Sequence, residues 1–191
     1  MSKDPWEEWP EIWPTKSKFF SWLRGGIRKG VWNRSPIKLE VIKHKRKRVV
    51  NPKTGNTVNG GTCYICNKDF IQKDLQVDHI IGEHSLKEFS DVQKFIEAMT
   101  CLSADDLDLI CKPCHKIKSY SEKNNISIEE ARIEKQVIEF GKLIAKVQRE
   151  KLQELGIEPK STIKSRKNQY MKKLEELKLL NELKSKYEDN K

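Results

Sequence analysis

The sequence predicts an α+β protein, with a small strand-containing core in the middle of the chain and helices on both sides of it. Two Cys-x-x-Cys motifs, Cys63–Cys66 and Cys111–Cys114, mark the ends of this core. Short runs with strand character lie beside the motifs, and longer runs with helical spacing follow them. We therefore expect a basic, tryptophan-rich extension over 1–58, a zinc-braced core over 59–122 and a helical region over 123–191.

The cysteine spacing predicts one structural zinc ion. Each Cys-x-x-Cys motif places two thiolates on one tight turn, and two motifs supply the four ligands of a tetrahedral site. A redox pair is the alternative for a single motif, but two motifs favour zinc. Four thiolates leave no open coordination position, so the ion would be structural. The 44 residues between Cys66 and Cys111 exceed the usual spacing, which indicates that another element lies between the motifs.

A second set of candidate functional residues lies between and beside these motifs. Asp78 offers a carboxylate and His115 an imidazole, a pair suited to Mg²⁺ or Mn²⁺. Histidine exchanges protons near neutral pH, which makes His79 a candidate general base. Adjacent residues of a strand face opposite ways, so Asp78 and His79 would serve different partners. The alternatives are an ordinary surface pair at Asp78 and His79, and a zinc ligand at His115.

Three stretches together resemble a known family. They are Cys63-Tyr64-Ile65-Cys66, Val77-Asp78-His79-Ile80 and the run Asp-Leu-Asp-Leu-Ile-Cys-Lys-Pro-Cys-His-Lys-Ile-Lys over 106–118. Their order and spacing are similar to those of the zinc-braced HNH endonucleases, the ββα-metal nucleases, over about residues 60–120. The resemblance implies a small ββα-metal core, with the Asp-His pair on the first strand of a hairpin and the last histidine on the helix that follows.

The resemblance also implies a function and a set of roles. The family hydrolyses phosphodiester bonds of DNA and leaves 5′-phosphate and 3′-hydroxyl ends. By this likeness His79 would be the general base, and Asp78 and His115 would hold a catalytic Mg²⁺ or Mn²⁺ ion. Asp106 stands where the family normally has asparagine, and an aspartate there can still orient His79 by hydrogen bonding. The family is common in bacteriophages, so a phage protein acting on double-stranded DNA in the host cell is expected.

Two other classes of function fit parts of the sequence. A zinc-dependent DNA-binding module without catalytic activity would explain the departure from the family at Asp106. An interaction scaffold would instead rest on the Lys- and Glu-rich helices of the carboxyl-terminal region, which could bind a protein partner or form a homodimer. Packing against each other and contact with DNA are the alternatives for these helices. Cleavage of supercoiled plasmid with Mg²⁺ or Mn²⁺ would separate the enzyme from the inactive module.

Charge independently favours nucleic acid as the ligand. The chain has 38 Lys and Arg residues against 28 Asp and Glu residues, a net charge of +10. Residues 1–60 contain 14 basic and 5 acidic residues, a net charge of +9, so this third is expected to face phosphate. A nuclear address is the alternative for the densest cluster, Lys43–Arg48. The candidate DNA contacts are Arg24, Arg28, Lys43, Lys45, Arg46, Lys47, Arg48, Lys116 and Lys118.

Composition also bears on the compartment. The sequence has no run of about 20 apolar residues that would span a membrane, and its first residues lack the apolar run of a secretory signal. Four of the five cysteines lie in the two motifs, which favours a reducing interior, and hence the cytoplasm, over a disulfide framework.

The flanking segments carry local signals. Prolines at positions 5, 10 and 14 predict an extended arm whose tryptophans dock on the folded part, with base stacking as the alternative. Thr15 or Ser17 is expected to cap the next helix. Turn residues over 51–56 predict a hairpin. An amphipathic helix over 84–101, carrying His84 and Cys101, is expected to pack over the hairpin that bears His79.

The carboxyl-terminal region reads as two helices. One starts at Ser127, has an apolar stripe from Ile133 to Val147, and ends near Gly156. The other begins at about Ser161 and alternates charges of opposite sign, as solvated helices do.

Overall fold

The computed structural model describes residues 3–82, 85–100 and 103–188, with side chains up to residue 180. Within those ranges the chain forms eight α-helices and five short strands, which confirms the α+β class. Contacts divide the chain into an amino-terminal unit, Met1–His115, and a carboxyl-terminal unit, Lys116–Lys191. No helix of the described ranges is long and apolar enough to cross a membrane.

The amino-terminal third is helical. Its helices are α1 (Pro5–Glu8), α2 (Lys16–Gly30) and α3 (Pro36–Lys45). The prediction of an extended arm is wrong for α1, because Pro5 occupies the first helical position, where its fixed φ fits and no amide donor is needed. The cap of α2 is as predicted, since the Thr15 hydroxyl accepts a hydrogen bond from the amide of Lys18 at 3.2 Å.

An aromatic cluster joins α1, α2 and the segment between the two cysteine motifs. Its buried members are Phe19, Phe20, Leu86, Phe95 and Met99. Trp6 packs 5.7 Å from Phe20 and Trp13 packs 5.2 Å from Phe19, measured between ring centroids. The predicted docking of the tryptophans on the folded part is therefore confirmed for Trp6 and Trp13.

The inserted helix is shorter than predicted. Helix α4 spans Val92–Thr100 and follows a 3-10 turn over Phe89–Asp91. The Asp91 carboxylate accepts hydrogen bonds from the amides of Lys87 and Glu88, so the helical backbone begins only after these residues. The segment packs on the Phe19–Phe20 cluster of α2, and not chiefly over the hairpin as expected. The predicted positions of His84 and Cys101 lie outside the described residues.

Two small antiparallel sheets follow the amino-terminal helices. The first sheet pairs β1 (Lys47–Val50), β2 (Thr57–Thr62) and β3 (Asp69–Ile71). The predicted turn over 51–56 connects β1 to β2, and its Gly55 has a φ of +72° that favours glycine. Gly60 is also required, because a Cβ there would collide with the carbonyl oxygen of Phe70.

The second sheet and the next helix give the predicted order of strand, strand and helix. Its elements are β4 (Leu75–His79), β5 (Leu107–Cys111) and α5 (Lys112–Asn124). In this register Asp78 lies opposite Asp108, and His79 lies opposite Leu107. A small core packs on this sheet, with Val41 of α3 against Val77, Leu107 and Leu109. The sheet thus brings Asp78 and His79 to the start of α5.

The carboxyl-terminal unit contains α6 (Ile128–Lys142), α7 (Ala145–Glu154) and α8 (Ile163–Glu188). Ser127 starts α6 as predicted, in a reciprocal capping box with Glu130. The single helix expected from Ser127 to Gly156 is wrong, because the backbone is extended at Leu143 and Ile144. The buried Gln148 amide stabilises the break by donating to the carbonyl oxygens of Phe140 and Leu143, at 3.3 and 2.7 Å.

Candidate metal centre and active site

The four predicted zinc ligands converge in the amino-terminal unit. The Sγ atoms of Cys63, Cys66, Cys111 and Cys114 all lie within 4.8 Å of one another. Zn–S bonds of about 2.3 Å would place the sulfurs of a tetrahedral site roughly 3.8 Å apart, so the set fits a structural metal ion such as zinc. Cys63 and Cys66 lie on the turn between β2 and β3, whereas Cys111 ends β5 and Cys114 lies in the first turn of α5. A metal there would connect the two sheets and the helix.

The electrostatics of the four thiols also fit a cation. Burial raises the pKa of Cys63, but hydrogen bonds from the backbone of Cys111, Cys66 and Ile65 outweigh it and bring this pKa to about 7. Burial also raises the pKa of Cys114, and hydrogen bonding to Cys111 and the charge of Cys63 raise it further. Neighbouring thiolates repel one another, so all four ionise together only with a compensating positive charge. A divalent ion would supply that charge.

Asp78 and His115 come together at the surface beside this centre. The Nε2 atom of His115 lies 3.7 Å from the Oδ1 atom of Asp78, and their side chains are 38% and 19% exposed. Two ligands of one ion with bonds of about 2.1 Å lie roughly 3–4 Å apart. His115 directly follows Cys114 in the first turn of α5. A metal on the cysteines would therefore fix the helical turn that presents His115 to Asp78.

His79 is held on the buried side of β4. It is 6% exposed, and its Nε2 atom lies 2.8 Å from the carbonyl oxygen of Ala98 in α4. A carbonyl oxygen only accepts, so Nε2 carries the proton and the lone pair of the neutral ring is on Nδ1. The indole of Trp32 stacks on the imidazole with centroids 4.5 Å apart and planes at 20°. The tautomer and the plane of His79 are thereby both defined.

Asp106 makes different contacts from those expected. Its carboxylate accepts hydrogen bonds from the amide and the hydroxyl of Ser103, at 2.8 and 3.0 Å, and so caps the 3-10 turn Ala104–Asp106. These bonds hold the pKa of Asp106 below its ordinary value, and the nearby imidazole of His79 adds to the lowering. The predicted hydrogen bond to His79 is thus replaced by bonds to Ser103. The interaction of Asp106 with His79 is the attraction between their charges.

Two cations from the amino-terminal helices lie near Asp78. Partial desolvation lowers the pKa of Arg28, as does the neighbouring Arg24, and the charge of Asp78 opposes this lowering. Burial likewise lowers the pKa of Lys38, again against the charge of Asp78. The Lys38 ammonium also lies 4.6 Å from the centroid of the Trp32 ring.

The sequence predicts Arg28 as a phosphate contact, but it does not point to Lys38 or Trp32. Their local sequence has no motif, and their position follows from the packing of α3 on β4 and β5. The one local signal for these two residues is an aromatic residue close to basic residues. This combination is common in basic proteins, so it does not identify a site.

Most of the predicted basic cluster makes ion pairs within the chain. Lys45 lies 2.7 Å from Asp108, Lys47 lies 2.7 Å from Asp69 and Lys43 lies 3.7 Å from Glu40. Arg48 donates to the side chain of Asn59 and to the carbonyl oxygen of Thr57. Exposed pairs of this kind contribute at most about 1 kcal/mol each, so a phosphate can compete for these cations.

The two lysines predicted on α5 differ. Lys116 is exposed, as a DNA contact requires. Lys118 is 5% exposed and lies 3.2 Å from Glu122, which disfavours the predicted contact with DNA.

In comparisons with known proteins, no family model, no curated protein and no solved structure matches the chain. The chemistry of the site therefore follows from its own groups. They are a four-cysteine metal centre, a carboxylate–imidazole pair, a second imidazole with a defined tautomer, and cations near the carboxylate. Such a set can hold a divalent ion, accept a proton and bind an anion.

Proposed function

We propose that the chain is a metal-dependent endonuclease that hydrolyses phosphodiester bonds of double-stranded DNA. The observation that carries the proposal is that two neighbouring residues of β4 contact different partners. Asp78 meets His115 at 3.7 Å, whereas His79 turns to the carbonyl oxygen of Ala98 at 2.8 Å. The resemblance to HNH endonucleases assigns Asp78 and His115 to one ion and gives His79 a separate role, and it implies 5′-phosphate and 3′-hydroxyl ends.

In this mechanism each residue has a separate role. Asp78 and His115 would hold Mg²⁺ or Mn²⁺, which supplies Lewis-acid neutralisation of charge at the scissile phosphate. His79 would accept a proton from the attacking water at Nδ1. Its Nε2–H bond to Ala98 keeps the proton away from Nδ1 beforehand and stabilises the imidazolium that forms. The stacked indole of Trp32 would stabilise that cation further.

Substrate binding would fall to cations around the same site. Arg28 and Lys38 are close enough to Asp78 to feel its charge, and we propose that they bind phosphates flanking the scissile bond. The exposed cations of the Lys43–Arg48 cluster would extend this surface along the duplex. The zinc would stay structural, and its four reduced thiols agree with the cytoplasmic location that we propose.

A zinc-dependent DNA-binding module without catalytic activity is the second candidate. The low exposure of His79, 6%, favours it, because a general base must reach water. The hydrogen bond that the Asp106 carboxylate accepts from Ser103 also favours the inactive module. The HNH family normally has asparagine at this position.

The test is cleavage of supercoiled plasmid by the zinc-loaded protein with Mg²⁺ or Mn²⁺, with and without a chelator. We expect His79→Ala to lower the rate by about 10²–10⁴-fold while DNA binding and zinc content stay unchanged. Asp78→Ala and His115→Ala should lose activity by weakening the ion site, so excess Mn²⁺ should restore part of it.

His44→Ala is the matched control, because His44 is an exposed histidine that lies 3.3 Å from Glu40 on α3, and it should cleave normally. Full activity of His79→Ala would remove the nuclease assignment from this site. Wild-type protein that binds duplex DNA but never cleaves it would establish the second candidate.

A further inference from the structure

The carboxyl-terminal unit contains a groove with basic and aromatic walls. Arg132 and Lys135 of α6 and Lys151 of α7 form its basic side, and the groove has a volume of about 370 Å³. Its one acidic lining residue, Glu139, is 2.6 Å from the ammonium of Lys142, which lowers the pKa of the Glu139 carboxyl. The lining therefore has an excess of positive charge, which favours an anionic ligand.

Arg132 provides an independent sign of a missing acceptor. Its Nε atom is buried and has no hydrogen-bond partner among the residues that the structure describes. A buried donor without an acceptor is costly, and more so when it belongs to a charged group. Arg132 and Lys135 are three residues apart on α6, so their side chains leave the helix on the same face. A rotation of the Arg132 side chain would bring this donor and the Lys135 ammonium to one anionic oxygen in the groove.

The groove is also lined by aromatic rings. Phe140 and Tyr170, which both line the groove, stack with centroids 4.3 Å apart and planes at 11°. Aromatic walls beside basic side chains are the combination by which proteins hold nucleotides, with the base on the rings and the phosphate on the cations.

We propose that this groove binds a nucleotide unit, with its phosphate at Arg132, Lys135 and Lys151 and its base against the Phe140–Tyr170 wall. A free nucleotide and a single strand of nucleic acid both offer a phosphate and a base to the groove. The proposal goes beyond the nuclease function and does not rest on it, because all of these residues belong to the carboxyl-terminal unit.

The experiment uses the full zinc-loaded chain and three probes: a fluorescent single-stranded oligonucleotide, ADP and inorganic phosphate. The double substitution Arg132→Gln with Lys151→Gln should weaken oligonucleotide or ADP binding at least about tenfold. For the oligonucleotide, the dependence of affinity on salt should fall by roughly one unit of slope for each phosphate that the variant no longer binds. Lys146→Gln removes one charge from a side chain of α7 that is 82% exposed, and it should bind like wild type.

The three probes separate the possible ligands. If ADP and the oligonucleotide both bind more weakly to the double variant, the ligand is a nucleotide unit in either form, and weaker binding of the oligonucleotide alone identifies a strand. If the double variant does not fold, Lys151→Gln alone is tested instead, because the Lys151 side chain is exposed. This variant should also weaken the binding of the oligonucleotide or ADP. The proposal is overturned if the double variant binds both probes like Lys146→Gln, or if inorganic phosphate competes as well as ADP.

Discussion

The two units of the chain are stabilised in different ways. The amino-terminal unit has three separate clusters of four or five buried residues, one of which is the cysteine cluster itself. The carboxyl-terminal unit is helical and buries Ala131, Val137 and Leu152 together with a polar pair, Gln148 and Arg166. The proposed nuclease residues lie in the first unit, where two short strands meet the metal centre.

This difference connects stability with chemistry. Small separate clusters exclude less surface from water than one large core, so each supplies little stability. A metal ion on the four cysteines would therefore add stability to the amino-terminal unit, by holding β5, the start of α5 and the β2–β3 turn together. The same metal would fix the turn of α5 that places His115 3.7 Å from Asp78. The carboxyl-terminal unit has no comparable set of metal ligands among the residues that the structure describes, so its packing should be independent of metal.

The largest expected effect tests this contrast directly. Cys63→Ser, or removal of zinc with a chelator, should unfold the amino-terminal unit and leave the carboxyl-terminal helices formed. All five tryptophans precede residue 33, so tryptophan fluorescence reports the first unit alone, whereas far-ultraviolet circular dichroism reports all helices. We expect the fluorescence spectrum to shift fully to the red while part of the helical signal remains.

Cys101→Ser is the control, because Cys101 lies outside both Cys-x-x-Cys motifs. It should keep about one zinc per chain by elemental analysis and an unchanged fluorescence spectrum. A native fluorescence spectrum in zinc-free Cys63→Ser protein would show that the amino-terminal unit does not depend on the metal, and the contrast between the units would fail.

The reciprocal change is Arg166→Met in the carboxyl-terminal unit. The buried guanidinium donates to the Gln148 side chain at 2.8 Å and to the carbonyl oxygens of Lys160 and Ser161. Methionine would leave the side-chain oxygen of the buried Gln148 without its donor and would remove the bonds to Lys160 and Ser161, which should cost about 2–4 kcal/mol of unfolding free energy. Lys164→Met, at an exposed position of α8, should cost little. Zinc content and tryptophan fluorescence should not change in either variant.

The sequence alone predicts those features of the fold and of the site that depend on local signals or fixed spacing. The four cysteines, the strands around Asp78 and His79, and the cap at Ser127 follow from patterns within a few residues. The choice of Arg28 follows from charge alone. The predictions for the cysteines, the strands and the cap hold because turn chemistry, strand alternation and capping are decided by neighbours in the chain.

Features that depend on contacts distant in sequence cannot be predicted in this way. The stacking of Trp32 on His79 joins residues 47 positions apart, and the carbonyl partner of His79 comes from an inserted helix that starts later than its sequence pattern indicates. The break between α6 and α7 escapes prediction for the same reason. An apolar stripe continues through it, and its stability comes from the Gln148 side chain, which hydrogen-bonds back to α6 and is held by Arg166.

A smaller effect is expected at Trp32, where the packing of the first unit meets its proposed chemistry. Trp32→Leu keeps an apolar side chain but removes the stacked ring that orients His79. Misplaced catalytic groups lose rate steeply with distance, so we expect cleavage to fall by about tenfold with little change in DNA affinity. Trp32→Phe should recover much of the rate. An equal loss in both variants would indicate that the indole has another role.

The smallest effects are expected at two helix caps, one in each unit. Thr15→Ala removes a hydroxyl cap from α2, and Ser127→Ala removes one from α6, and each should cost about 1 kcal/mol. Thr15→Ala should shift only the unfolding transition followed by tryptophan fluorescence. Ser127→Ala should shift only the remaining transition followed by circular dichroism. A shift of both transitions by either substitution would show that the units unfold together.

The two caps should also differ in their dependence on pH. The amide and hydroxyl of Ser127 hold the pKa of Glu130 below its ordinary value, so this carboxylate adds stability above the pKa of the unfolded chain, about 4.3. That stability is lost as the pH falls through the lower pKa of the folded state. The loss of unfolding free energy caused by Ser127→Ala should therefore shrink between about pH 6 and pH 3. Alanine keeps the amide bond to Glu130, so only the part of the pKa lowering that comes from the hydroxyl is lost.

The cap at Thr15 is the control, because it bonds the amide of Lys18 without a carboxylate. The loss of unfolding free energy caused by Thr15→Ala should stay constant wherever the unit is folded. Parallel denaturant titrations of both variants and wild type over this range measure the difference, and a constant cost for Ser127→Ala would show that the hydroxyl does not lower the pKa of Glu130.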